Sequence, residues 1–169
     1  METKNDRTEI IETELCVIGG GLSGVAAAVS AAREGVKTVL VHDRTVLGGN
    51  CSSEVRMWIR GAAVQFPDLK EGGIVEELAL DNARLNPKMN WSLWDRVLLN
   101  KVRAEKNITL ILSATVMNAT EENGAIKSVT AWKTDDYEFY EIRAKYYADC
   151  SGDCVLAEFT SAEHTKGRE

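Results

Sequence analysis

Residues 14–24, ELCVIGGGLSG, constrain this chain more than any other stretch. A short apolar run ends in three glycines. Residues 22–34 then run rich in alanine, with no proline and no glycine after Gly24. That pattern predicts a buried strand, a tight turn and a helix. Gly35 is placed to stop the helix, and residues 37–41, KTVLV, predict a second strand. Two short strands joined through one helix form a βαβ unit, and such a connection makes the strands parallel.

The turn itself, Gly19-Gly20-Gly21-Leu22-Ser23-Gly24, fits G-x-G-x-x-G between a strand and a helix. In that context each glycine has a separate task. Gly19 permits the tight turn, Gly21 lets backbone approach a pyrophosphate, and Gly24 lets helix and strand pack closely. The helix N-terminus supplies unpaired N–H groups and about half a positive charge to an anion. Val25 and Ala26 stand where a P-loop would need Lys and Ser or Thr, so the loop is not of that kind. A dinucleotide is the expected ligand; a glycine-rich turn with no ligand is the structural alternative.

A dinucleotide site of this type needs an acid near the end of the second strand, to accept the ribose hydroxyls. Asp43 lies 19 positions after Gly24, close to the expected spacing, and His42 precedes it. We read Asp43 as the ribose acceptor on its charge, with His42 as the alternative.

The chain has 169 residues, 44% of them hydrophobic, which suits one domain whose core needs no disulfide. A net charge of −6 argues against nucleic acid and against an anionic membrane surface as partners. No apolar run approaches the roughly 20 residues of a membrane span. The N-terminus is charged and mixed in sign, with no signal-peptide pattern. Cysteines at 16, 51, 150 and 154 do not form a secreted disulfide framework, so a cytoplasmic location is expected. The Asn-x-Ser/Thr matches at Asn50, Asn90, Asn107 and Asn118 then read as chance.

Residues 1–12 read as a flexible, solvated leader, and 43–71 as loop, with Gly48-Gly49, Gly61 and Pro67. A helix is expected from Gly72-Gly73 to about Leu85, ended by Asn86-Pro87. Trp91, Trp94, Leu98 and Val102 recur at helical spacing in 91–105, and 108–112 reads as a third strand. The pattern then changes. Segments 115–120, 126–133 and 137–142 are strand-like, and Asn123-Gly124 is a strong hairpin signal, so they predict a three-stranded antiparallel meander. Residues 146–149 predict a short returning strand before Cys150-Ser151-Gly152-Asp153, with a helix from about Asp153.

The stretch GGGLSGVAAAVSAAREGVKTVLVHDRTVLGG resembles the FAD-binding N-terminal module of the glutathione-reductase-like flavoproteins. That pattern has a GGGxxG loop, an alanine-rich helix, an acid after strand two and a second glycine pair, here Gly48-Gly49. A D-x-[ST]-G-D motif on a final strand also belongs to it, here Asp149-Cys150-Ser151-Gly152-Asp153. LGGNCSSEVRMWIRGA and NWSLWDRVLLNKVRAEKNITLIL further resemble an FAD-dependent oxidoreductase subfamily. The resemblance covers roughly residues 13–169. It implies an α/β, Rossmann-like FAD-binding domain: a parallel sheet with helices and an inserted three-stranded antiparallel meander.

The resemblance also implies roles. Gly19, Gly20, Gly21, Leu22, Ser23 and Gly24 would surround the pyrophosphate. Asp43, with His42 and Arg44, would meet the adenosine ribose. Gly48, Gly49, Asn50 and Cys51 would lie along the ribityl-to-isoalloxazine part. Val116 would offer backbone to adenine, and Ser151, Gly152 and Asp153 would approach the phosphate–ribityl region. The expected function is flavin-mediated hydride or electron transfer, with a small-molecule substrate and an electron acceptor as partners. No residue is assigned to catalysis. The alternatives are an NAD(P)-binding Rossmann dehydrogenase, or a nucleotide-binding fragment with no turnover of its own. Residues 13–169 are expected to be an incomplete FAD-binding domain whose substrate domain lies beyond them.

Four other features weigh on the chemistry. Cys51 stands where disulfide reductases of the superfamily carry their first redox cysteine, but Arg56 occupies the place of the second. Disulfide reduction by a dithiol is therefore not expected, and Cys51 reads either as a buried small residue or as a lone thiol near flavin. Cys150 and Cys154 read as packing residues, and no metal site is expected. Arg56 and Arg60 either hold an anion near flavin, or are solvated or paired with Glu54. Trp91 and Trp94 read as helix core.

Overall fold

The computed structural model describes residues 8–59 and 72–165. Arg60, Gly61 and Pro67, and the first seven residues of the expected leader, lie outside the described residues.

Its framework is a six-stranded sheet in the order β3-β2-β1-β6-β5-β4. The strands are β1 (Thr8–Ile18), β2 (Thr38–Val41), β3 (Ile108–Ile111), β4 (Ala114–Glu122), β5 (Ala125–Lys133) and β6 (Glu138–Asp149). The helices are α1 (Leu22–Arg33), α2 (Gly73–Leu85), α3 (Trp91–Arg103) and the short α4 (Val155–Glu158), with a 3-10 turn at Gly49–Cys51. β3, β2, β1 and β6 run parallel, while β6, β5 and β4 are antiparallel. The fold is thus α/β and Rossmann-like, with the meander joined to the parallel sheet.

The parallel strands are covered on both faces. Against one face lie α1, α2 and α3, through Val25, Val29, Leu78, Trp94 and Leu98, with Val17 and Leu40 as the sheet's contribution. Against the other lie Val116 and Ala119 of β4, Val129 of β5 and Leu156 of α4, packed with Ile18, Val39 and Val41. Burial on both faces explains why β2 reads as an unbroken apolar run rather than an alternating one.

Two expectations change. Residues 8–12, expected in the leader, belong to β1, which begins at Thr8. Its polar first half, TEIIET, is held by a parallel ladder to β6, from Thr8 opposite Phe139 to Thr13 opposite Ala144. The third meander strand and the short returning strand are also one element, β6. Arg143 and Lys145 made that segment look like a break. Both side chains are exposed and ion-paired, Arg143 with Glu141 and Lys145 with Glu14, while the backbone continues the ladder.

The elements around the site are braced locally. Asn90 caps α3 by accepting the Leu93 amide. Fully buried Asn86 closes the α2–α3 turn: its Nδ2 donates to Asn82 Oδ1 and to the Asn90 carbonyl, and its Oδ1 accepts the Asn90 amide. Arg33 on α1 pairs with Glu77 on α2 and with Glu105 beyond α3, and Lys101 pairs with Glu77 and Asp81. The three helices are clamped together by this network.

Candidate functional site

The parallel strands β1, β2, β3 and β6 end on one rim, at Ile18, Val41, Ile111 and Asp149. From β1 the chain moves to β2 and β3 on one side, and returns as β6 on the other. Ligands of open α/β sheets bind outside the carboxyl ends of the strands at such a reversal. A cavity of about 700 Å³ opens there.

The glycine loop forms its floor. The Gly19 amide donates to the Val41 carbonyl at 2.8 Å, tying the loop to β2. Gly21 is the N-cap of α1, with no side-chain cap, and the first turn contains no acid. The helix dipole is therefore uncompensated at the cavity, and the first-turn amides have no partner inside the helix. A side chain at Gly21 would meet nothing within 4 Å. Gly19, Gly21, Leu22 and Ser23 all line the cavity. Gly20 and Gly24 do not. A Cβ at Gly20 would lie 2.6 Å from a Leu47 methyl and 2.7 Å from the His42 ring, and one at Gly24 would overlap the Gly19 carbonyl oxygen. Those two glycines shape the loop from behind.

The second glycine pair is bound to the first. The Gly48 amide donates to the Gly20 carbonyl at 2.8 Å, and Gly21 and Gly48 form an isolated parallel bridge. Gly48 has φ of 110°, and a Cβ there would come within 2.6 Å of the Cys51 carbonyl oxygen, so only glycine suits this turn. Gly48, Gly49, Asn50 and Cys51 line the cavity. Cys51 is buried, and burial raises its thiol pKa above the ordinary value. Its carbonyl accepts the Trp94 indole N–H at 2.6 Å.

His42, Asp43 and Arg44 follow β2 and also line the cavity. His42 is 5% exposed, and its Nδ1 accepts the Gly20 amide at 2.9 Å. Asp43 is exposed, with Oδ1 3.1 Å from the same nitrogen. Arg44 pairs with Glu54 at 3.0 Å. Glu54 is thus paired with Arg44, whereas Arg56 is exposed, lies off the cavity and donates through Nε to the Ser53 carbonyl.

The third segment follows β6. Asp149 Oδ1 accepts the Ser151 amide and hydroxyl, at 3.0 and 2.6 Å, and its Oδ2 accepts the Leu156 amide at 2.7 Å. The D-x-S part of the motif is therefore a brace, which presents Gly152 and Asp153 to the cavity together with Ser151. Cys150 packs against the glycine loop, and its amide donates to the Ile18 carbonyl at 2.7 Å. Cys154 is not a packing residue: it is exposed, with φ of 54° at the N-cap of α4. Val116 of β4 lines the adjoining wall with Thr115.

The sequence reading missed one part of the wall. Met57, Trp58 and Ile59 border the cavity beyond Cys51. Trp58 stacks on Trp91 with ring centroids 4.0 Å apart, near Trp94 at 6.2 Å. Trp94 is buried as expected, while Trp91 is half-buried and serves as a platform for Trp58.

The fold and the crevice define a dinucleotide-binding α/β domain. Residues 14–169 match the family described as FAD dependent oxidoreductase, and the chain belongs to that family, whose cofactor is FAD. Forty residues are 52% identical to mitochondrial dihydrolipoyl dehydrogenase of Schizosaccharomyces pombe, covering 24% of this chain and 8% of that protein. Among solved structures, the fold resembles p-nitrophenol 4-monooxygenase from Pseudomonas putida, with a TM-score of 0.62 at 15% identity over 95% of this chain and 46% of that one. It also resembles glycerol-3-phosphate dehydrogenase from Bacillus halodurans, solved with FAD, with a TM-score of 0.61 at 16% identity over 90% of this chain and 37% of that one. At those identities the likeness is one of fold. The chain spans less than half the length of these structures. No helix among the described residues is long and apolar enough to cross a membrane.

Proposed function

We propose that this chain is the FAD-binding domain of an oxidoreductase that draws a hydride or electrons from a small-molecule substrate and passes them to an acceptor. The observation that carries this reading is the joining of both glycine pairs in one crevice, through Gly48 to Gly20 and the Gly21–Gly48 bridge. One ligand can therefore meet both pairs, in a cavity that Asp43, Val116 and Trp58 also line. The chemistry is supplied by the flavin when bound; the protein binds and orients it.

Each segment has a task in this reading. Gly21 and the α1 N-terminus receive the pyrophosphate, because the backbone there is open and the dipole uncompensated. Asp43 accepts the ribose hydroxyls, and Thr115 and Val116 border the adenine. Gly49, Asn50 and Cys51, with Gly152 and Asp153 of the same cavity, would hold the ribityl chain. Trp58, held by Trp91, helps exclude water from the cavity it borders. The substrate domain is assigned to a part of the protein other than residues 13–169. Four cysteines without a disulfide support a reducing compartment, the cytoplasm.

The test is the absorption spectrum of the purified protein after incubation with FAD and removal of excess. Bound oxidised flavin is expected to give bands at about 375 and about 450 nm. Absence of those bands, or tighter binding of NADH than of FAD by calorimetry, would overturn the assignment.

A further inference from the structure

His42 stands at the end of β2, where a dinucleotide site ordinarily places its ribose-binding acid, and the cofactor reading above gives its imidazole no task. The ring is fixed on several sides. Nδ1 accepts the Gly20 amide at 2.9 Å, and the ring packs so closely on Gly20 that a Cβ there would lie 2.7 Å from it. Nε2 is buried and makes no hydrogen bond of standard geometry, although the Val46 carbonyl faces the ring and favours a proton on it. Neither nitrogen is free to meet a ribose.

Two groups compete for Nδ1. An amide N–H needs a lone pair, so Nδ1 carries no proton while it holds Gly20, and the neutral ring keeps its proton on Nε2. The Asp43 carboxylate, 3.1 Å from the same nitrogen, then faces a lone pair and gains nothing from it. In the imidazolium the preference reverses. Nδ1–H donates to Asp43 and can no longer accept from Gly20. Gly20 and Asp43 thus favour opposite protonation states of one ring.

We infer that neutral His42 is a positioning residue for the dinucleotide: it holds the glycine loop by Gly20 and leaves the Asp43 carboxylate to the ribose, whereas the imidazolium releases the loop and captures Asp43. The inference rests on reading this cavity as the FAD site. The charged groups facing the ring are Asp43 and Arg44 from its own loop and Glu54 from the segment after the second glycine pair. Gly20 and Leu47 bring no charge, and β3 and β4 bond the His42 backbone through Ile111 and Ala114. Burial is the largest influence and holds the ring below its ordinary value of 6.5, aided by Arg44 and opposed by Asp43, Glu54 and the Val46 carbonyl. Binding is therefore complete at neutral pH and above, and falls as pH drops through the titration of the ring.

The test uses ADP, which carries the ribose and pyrophosphate without the flavin, titrated calorimetrically into the whole chain between pH 5 and pH 8. The expected result is an affinity that declines below the ring's titration by up to about tenfold per pH unit, the limit for uptake of one proton. In H42N the side-chain amide oxygen can accept from Gly20 but cannot be protonated, and the pH dependence should fall to what the ADP phosphate alone contributes. Nitrogen NMR of the wild-type imidazole reads the tautomer directly, and a proton on Nε2 alone is expected at pH 8. A wild-type affinity that does not change with pH, an H42N slope equal to the wild type, or an Nδ1–H tautomer at pH 8 overturns the inference while FAD binding stands. Failure of both ADP and FAD to bind at pH 8 overturns the cofactor reading and this inference with it.

Discussion

A methyl group on Gly24 would overlap the carbonyl oxygen of Gly19, so the first and last glycines of the loop meet backbone to backbone. Gly21, between them, has open space where its side chain would be. The two positions should therefore respond differently to the same change. G24A is expected to destabilise the fold by about 2–3 kcal/mol, the usual cost of overpacking. G21A should cost no more than about 1 kcal/mol as a poorer N-cap, yet weaken FAD binding at least about tenfold by blocking the approach of the pyrophosphate. Thermal denaturation of the protein without cofactor, set beside a fluorescence titration with FAD, separates the two effects. Equal losses of stability in both variants would contradict the assignment.

The helix clamp predicts a specific acid response. Hydrogen bonds from Arg33 and Lys101 hold the Glu77 carboxyl down to about 2, from an ordinary value of 4.5. A depressed carboxyl contributes stability that is complete above the unfolded value and is lost as pH falls through the folded one. Glu77 is substantially exposed, so the contribution at pH 7 should not exceed about 1 kcal/mol. E77Q is expected to remove it, and the difference from wild type in urea unfolding should shrink between pH 4.5 and pH 2.

Asn86 gives a larger effect from a smaller network. It is fully buried, and both ends of its amide are bonded to Asn82 and Asn90. N86A leaves the Asn90 amide and Asn82 Oδ1 without the partner they have here, which should cost about 2 kcal/mol. Urea denaturation followed by tryptophan emission is a suitable measure, since Trp91 and Trp94 lie on the helix that this turn starts.

The four thiols should separate by accessibility. Cys154 is exposed and should react first with a thiol reagent at pH 8. Cys16 is buried on β1, and its pKa is pushed up to about 12 by burial; burial also raises Cys51. Both should react only at the rate of opening of the fold. C154S should remove the fast phase and no other, and FAD should slow Cys150, which lines the cavity.

How much of this was legible in the sequence depended on distance along the chain. The strand, loop and helix around Gly19 and Gly24 were legible because their constraints are local. The hairpin at Asn123-Gly124 was legible for the same reason. The first half of β1 was not, because TEIIET carries no strand alternation of its own. It is a strand by virtue of β6, and Lys145, 131 positions after Glu14, forms the ion pair across the two. The site followed the same rule. Its glycines, His42 and Asp43 announce themselves by spacing, whereas Trp58 joins through a stack on Trp91 that no sequence period encodes. Cys154 was misread because nothing in its neighbours signals a left-handed backbone after Gly152.

The long pairing of β1 with β6 also sets an order of events during synthesis. One edge of β1 is covered early, by Leu15–Ile18 against β2. The other edge waits for residues 139–149. At roughly 5–20 residues per second, that interval is on the order of ten seconds. Throughout it, the nascent chain presents the free edge of an apolar strand, a ready template for pairing with the wrong neighbour. A ribosome that stalls or terminates before β6 releases a chain whose earliest strand has nothing to close it. Such products should be drawn to chaperones or aggregate, although every residue of the glycine loop has already been made.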